Sequence, residues 1–358
     1  MFFYFIQGMR KNVFLIVAAL MAALSASAQR LQVVDKEGRG VALASVVNDN
    51  GILLGTTDLN GVLADVKGAR QVTVTHVAFK PVNVNVADLT DGRVTLQDGD
   101  FELQEIVVSP KPFVYVETYY RTYVYRDDSL CYFLAGIMPN AIDTKTGKKE
   151  HGSYNQAYGQ YCSKMGAAIT WWARAEMFEA GQVRKLSEEK IKKEYDFVLQ
   201  EVGPGRTAMN IDGKTLGYID RLGGQTRLTV DAAKAQMHAN ERDGNTKLLE
   251  RRREAGYEYQ YTTVYSGEDG QYDIADFVMY SNQWEYNDKK SHVKFIIETY
   301  AIDHGYVDKG EFQNKKKALK NDYKDSLTLD DMLTIERSHK IPELPEATRQ
   351  AILKLKHQ

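Results

Sequence analysis

The sequence predicts a mainly β, α+β molecule: a small β-sandwich, then a larger α+β domain with an antiparallel sheet and C-terminal helices. Three observations predict it. Between Leu31 and Val108, short β-branched runs alternate with clusters of Gly, Asn and Asp, the pattern of strands joined by tight turns. Two prolines in Ser109-Pro110-Lys111-Pro112 then end that pattern and favour a stiff, extended connector. Beyond them, tyrosines recur with period two and helical signals enter for the first time, which is strand chemistry mixed with helices.

The first segment, residues 1–28, reads as a secretory signal peptide. Arg10 and Lys11 precede the apolar run Val13 to Leu24, and Ala26-Ser27-Ala28 offers a cleavage point before Gln29. That run of 12 residues is shorter than the roughly 20 a helical membrane span needs. The expectation is export, to the periplasm or the outer membrane, with no transmembrane helix in the mature chain. Removing Arg10 and Lys11 leaves 44 basic against 48 acidic residues, a net charge of −4. This balance argues against nucleic acid as a partner.

Residues 29–110 form the expected sandwich. Leu31 to Val34 leads into a turn ending at Gly38; Ala42 to Val47 and Ile52 to Thr56 are the next strands. In Gln71 to Val77, Val72, Val74 and His76 fall on one face and Thr73, Thr75 and Val77 on the other. Gly38, Gly51 and Gly61 each follow a polar residue at a reversal, where a positive φ is often needed.

The order Val34-Asp35, Gly38, Gly40-Val41, Ala44-Ser45-Val46, Gly55-Thr56-Thr57-Asp58, Asn60-Gly61, Val72-Thr73-Val74 and Ala78-Phe79 resembles the carboxypeptidase-regulatory-like domain. The resemblance covers about 80 residues and implies a transthyretin-like β-sandwich that serves as an accessory module, with no metal or catalytic residue carried over. Ala78 stands where that family usually has Gly. Leu103 to Val108 also resembles the exit segment after such domains in outer-membrane receptors of diderm bacteria.

Residues 111–358 are the expected α+β domain. Phe113, Tyr115, Tyr119, Tyr123 and Tyr125 share one parity, as do Tyr257, Tyr259, Tyr261 and Tyr265. Such stripes are expected to be half-buried, with their hydroxyls at the sheet's edge. Asp273 to Tyr286 and His292 to Tyr300 add strands. Ser187 caps an expected helix that carries Ile191, Tyr195 and Val198 on one face and ends at Gly203-Pro204-Gly205. Asp231 starts a short helix through Met237. Pro345 opens another, with Leu344, Ala351, Ile352 and Leu355 as its apolar side.

Motifs for chemistry are sparse. None of the seven histidines stands in a His-Glu-x-x-His motif or at ligand spacing from a cysteine. Asp58-x-Asn60-Gly61 resembles part of a calcium loop, but Lys67 falls where a bidentate Glu is required. Neither a Gly-x-Ser-x-Gly elbow nor a phosphate loop occurs. No catalytic residue, metal ligand or cofactor is expected. Cys131 and Cys162 are the only cysteines, either joined in a disulfide or left as two separate thiols. Trp171 and Trp172 are the candidate binding surface, because adjacent residues do not readily face one core.

The expected function is therefore a non-catalytic binding or scaffold protein of the cell envelope. Its partner would be an outer-membrane or periplasmic protein, or a glycan. The alternative is a hydrolase of unrecognised class in the C-terminal domain.

Overall fold

The structure is a computed structural model that describes residues 30–101, 110–151, 155–162, 188–242, 244, 258–287, 291–322 and 328–355; the expected signal peptide lies outside them. Seven short strands build the first part: β1 (Leu31–Val34), β2 (Ser45–Asn48), β3 (Leu53–Thr56), β4 (Val62–Leu63), β5 (Gln71–His76), β6 (Phe79–Asn85) and β7 (Arg93–Thr95). They form a three-stranded sheet in the order β4-β1-β7 and a four-stranded sheet in the order β3-β2-β5-β6. The sandwich is antiparallel except for β1 and β7, which run parallel. Its core follows from the period-two pattern: Val33, Val46, Val72, Val74 and Phe79 are all fully buried in one cluster. Asp58 makes the turn before Gly61, its Oδ1 accepting from the amides of Asn60 and Val62, both at 2.9 Å.

The second part is one antiparallel sheet of 11 strands. Its strands are β8 (Phe113–Arg126), β9 (Ser129–Asp143), β10 (Lys149–His151), β11 (Asn155–Tyr161), β12 (Val198–Gly203), β13 (Arg206–Ile211), β14 (Lys214–Leu222), β15 (Gln225–Val230), β16 (Glu258–Ser266), β17 (Phe277–Asn287) and β18 (His292–Val307). They lie in the order β10-β9-β8-β18-β17-β16-β15-β14-β13-β12, with β11 also on β9. Two-residue turns fix much of this register. Asp127-Asp128, Asp212-Gly213 and Gly223-Gly224 each hold two positive φ angles, the backbone that matches the twist of a tight hairpin.

Five helices accompany the sheet among the described residues: α1 (Glu188–Tyr195), α2 (Ala232–Arg242), α3 (Lys309–Asp322), α4 (Leu329–Ser338) and α5 (Glu346–Leu355). Asp231 caps α2, its Oδ1 accepting from the Lys234 amide at 3.2 Å. The helix expected to run on to Val198 is shorter than its apolar spacing implied. Asp196 takes φ +59°, which ends it, and β-branched Val198 opens a strand instead. Gly203-Pro204-Gly205 is consequently a hairpin turn between β12 and β13, not a helix stop.

Residues paired across neighbouring strands share a face, and the two faces have different covers. On one, α1 and α2 pack through Ile191, Ala232 and Ala235 against Met209, Ile219, Leu228 and Val230. The other meets the sandwich: Val47, Leu53, Val77 and Phe101 share a buried cluster with Tyr119, Tyr300 and residues of α4 and α5. Hydrogen bonds fix this seam. Gln283 Nε2 donates to the Leu43 carbonyl at 2.7 Å, Lys294 Nζ to Thr56 Oγ1 at 2.7 Å, and the Leu53 amide to the Asp128 carbonyl at 3.0 Å. The sandwich is a wall of the larger body rather than a bead on a linker.

Candidate binding site

One row of residues runs across the sheet beneath the sandwich. Direct pairing sets it in the order Arg206, Asp220, Arg227, Val264, Met279, Tyr300, Tyr119 and Ile137. The Gly223-Gly224 turn pairs Leu222 with Gln225, and so must place Asp220 opposite Arg227 two rungs later. Above the middle of the row, the sandwich presents Val77, Ala78, Asp98, Gly99 and Phe101. Between them lies a cleft of about 320 Å3 with Arg227, Val264 and Met279 in its lining.

Charges at this end of the seam are mostly matched. Asp35 accepts from Arg39 Nε at 2.9 Å, Asp220 stands 3.1 Å from Arg206 Nε and 4.0 Å from Arg39, and Lys36 pairs with Asp98 at 2.6 Å. Arg227 is the exception. Its guanidinium lies over the Phe79 ring, 4.6 Å from the ring centre, yet it makes no hydrogen bond or ion pair with any described residue. Its Nε is sealed from solvent without a partner. Burial pushes the Arg227 guanidinium below its ordinary value, against the opposing pull of Asp220. Burial likewise pushes the Asp220 carboxyl up, against Arg206, Arg227 and Arg39.

The other end of the seam holds a second arginine, Arg121 on β8, which is buried. It donates from Nε to Glu298 at 2.9 Å, from Nη1 to Glu336 at 3.0 Å and to the Pro342 carbonyl at 2.9 Å, and from Nη2 to the Tyr300 hydroxyl at 3.1 Å. Tyr119 donates to Glu336 at 2.7 Å and Tyr123 to Glu298 at 3.1 Å. Burial opposes the charge on Arg121, but Glu298, with the surrounding tyrosines and Glu336, outweighs it and raises its pKa. Burial also pushes the Tyr119 and Tyr123 hydroxyls well above the usual phenol value. Tyr119 and Tyr123, in the stripe expected to be half-buried, thus lie deeper, because Glu336 and Glu298 satisfy their hydroxyls and residues of α4 and the sandwich share their buried cluster; Tyr259 stays half-buried.

Cys131 and Cys162 are joined in a disulfide that ties the start of β9 to the end of β11. Trp171 and Trp172 lie outside the described residues. Among those residues, no group of three His, Cys, Asp or Glu side chains is gathered to hold a metal ion, and no helix is long and apolar enough to cross a membrane. Sequence reading missed both arginines. The signal that could have found Arg227 was the Gly223-Gly224 turn, which sets its register; no local signal pairs Arg121 with Glu336, 215 residues away. Comparison of the chain with models of known protein families, with curated proteins and with solved structures finds no match.

Proposed function

We propose that this chain is an exported, non-catalytic protein of the cell envelope that binds a ligand or partner in the cleft between its sandwich and its sheet. On this reading the sandwich is an accessory module of the carboxypeptidase-regulatory-like kind, and it contributes one wall of the site. The observation that carries the reading is the seam cleft itself, lined by both parts and holding a guanidinium that no described residue partners. Sites for small molecules are concave, largely apolar and supplied with a few fixed polar groups. Val77, Phe101, Val264 and Met279 provide the apolar part, and Arg227 provides the fixed polar group. The Arg121 cluster supports a different role: its donors are taken by the protein's own acceptors, so it fastens α4 and the segment after it to the sheet.

The test uses the full chain recovered from envelope fractions. Mass spectrometry should find a mature N-terminus at or near Gln29, and affinity capture should retain an envelope component. Glycan, ester and peptide libraries should pass through unchanged. Turnover of any library by the purified protein would overturn the non-catalytic reading, and intact precursor confined to the cytoplasm would overturn export.

A further inference from the structure

Resting on the binding reading above, we propose that the seam cleft takes an organic monocarboxylate with a short apolar body, its carboxylate held by Arg227. Three observations select this chemistry. The first is charge. Arg39, Arg206 and Lys36 already stand against Asp35, Asp220 and Asp98, which leaves the Arg227 guanidinium as the cation in the cleft with no carboxylate of a described residue in contact. The lining sets Arg227 and Lys36 against Glu37, Asp98 and Asp220, so a single added negative charge at the guanidinium meets less repulsion than a dianion such as phosphate.

The second observation is geometry. Phe79 is fully buried and lies beneath the guanidinium, so the fork is held in one plane before anything binds. A planar fork matches a carboxylate through two parallel hydrogen bonds, and a pre-set orientation reduces the ordering cost of binding. The third is the floor. Val264 and Met279 follow Arg227 along the same row, and Phe101 closes the cleft from the sandwich side. An apolar body entering beside the carboxylate therefore lies along the row, away from Asp220.

Isothermal titration of the purified full-length protein tests the proposal, with 4-phenylbutyrate as the probe and 4-phenylbutanol, 4-phenylbutylamine and inorganic phosphate as controls. Phenylbutyrate should bind, the alcohol and amine at least about tenfold more weakly, and phosphate should not displace it. Arg227→Met should weaken phenylbutyrate by about tenfold or more, in line with the loss of a charge-assisted pair. Arg227→Lys, which keeps the charge without the fork, should lose several-fold. Phe101→Ala should weaken the probe while leaving its preference over phosphate intact. Equal binding of acid and alcohol, displacement by phosphate, or wild-type affinity in both Arg227 variants would overturn the proposal. If no carboxylate binds at millimolar concentration while the same preparation still captures an envelope component, the carboxylate assignment fails and the binding reading stands.

Discussion

Two arginines lie along one seam, Arg121 buried and Arg227 half-buried, and they are opposites. Arg121 reaches two carboxylates, a carbonyl and a phenol, whereas Arg227 rests on a ring and touches no acceptor among the described residues. A buried charge is tolerated when its surroundings answer it. Around Arg121 the protein itself answers, so the charge is spent on holding α4 and the sheet together. Around Arg227 the described residues answer only from a distance, chiefly Asp220. The same residue type is a fastener at one end and, on the binding proposal, a ligand anchor at the other, and the difference lies in what the neighbouring strands and helices place opposite it.

The comparison breaks most visibly at Arg121. Arg121→Met leaves Glu298 and Glu336 buried without their cation and should cost about 3–5 kcal/mol, measured by denaturant unfolding. A loss below about 1 kcal/mol would mean the cluster fastens nothing. At the same end, replacing Cys131 and Cys162 together by Ser releases a loop spanning 31 residues and should cost on the order of 3–4 kcal/mol on the chain-entropy model.

His76 sharpens the contrast because both arginines border it. It lines the small cavity beside Arg121, and burial, then the charge of Arg227, push its pKa down to about 3. A histidine whose folded pKa is depressed contributes stability that is present above its unfolded value, near 6.5, and is lost as pH falls toward 3. The wild type should therefore lose about 1.4 kcal/mol per pH unit from this group across that window. His76→Gln should remove that slope, and Arg227→Met should raise the His76 pKa in an NMR titration. An unchanged slope in His76→Gln would show that other groups govern acid unfolding.

The smallest expected effect is on stability at the Arg227 end. Arg227→Met gives up a cation–π contact worth about 0.5–1 kcal/mol and relieves a half-buried charge that no described residue contacts. Its unfolding free energy should stay within about 1 kcal/mol of wild type. Should it fall as far as that of Arg121→Met, the two arginines are not different in kind.

Period-two runs made the strands legible: β1 spans Leu31–Val34 and β5 Gln71–His76, within a residue of where alternation places them. Pro345 and Asp231 marked their helices because capping chemistry is local. Val198 was misread because Ile191, Tyr195 and Val198 satisfy a helical period just as well; only the positive φ at Asp196 and pairing with β13 decide otherwise. The cleft was hidden for a different reason. Its walls come from Lys36 and Glu37, from Val77 to Phe101, from Asp220 to Met279 and from Pro342, and no local pattern states that two distant sheets will stack. Tyrosine parity showed a sheet face but not which acids would meet its hydroxyls.

The bond from Gln283 to Leu43 spans 240 residues and that from Lys294 to Thr56 spans 238. Closing such long loops costs entropy before any distant contact can offset it. The assembly order follows. Sandwich hairpins and the β12 to β15 meander join near neighbours and form early, while the seam waits for both. During that interval Val47, Leu53, Val77 and Phe101, buried in the finished molecule, face water on a half-built surface. A chain made from its N-terminus presents this apolar face before the sheet that will cover it, so the half-made molecule is most prone to aggregate, and most in need of a chaperone, before β16 to β18 arrive.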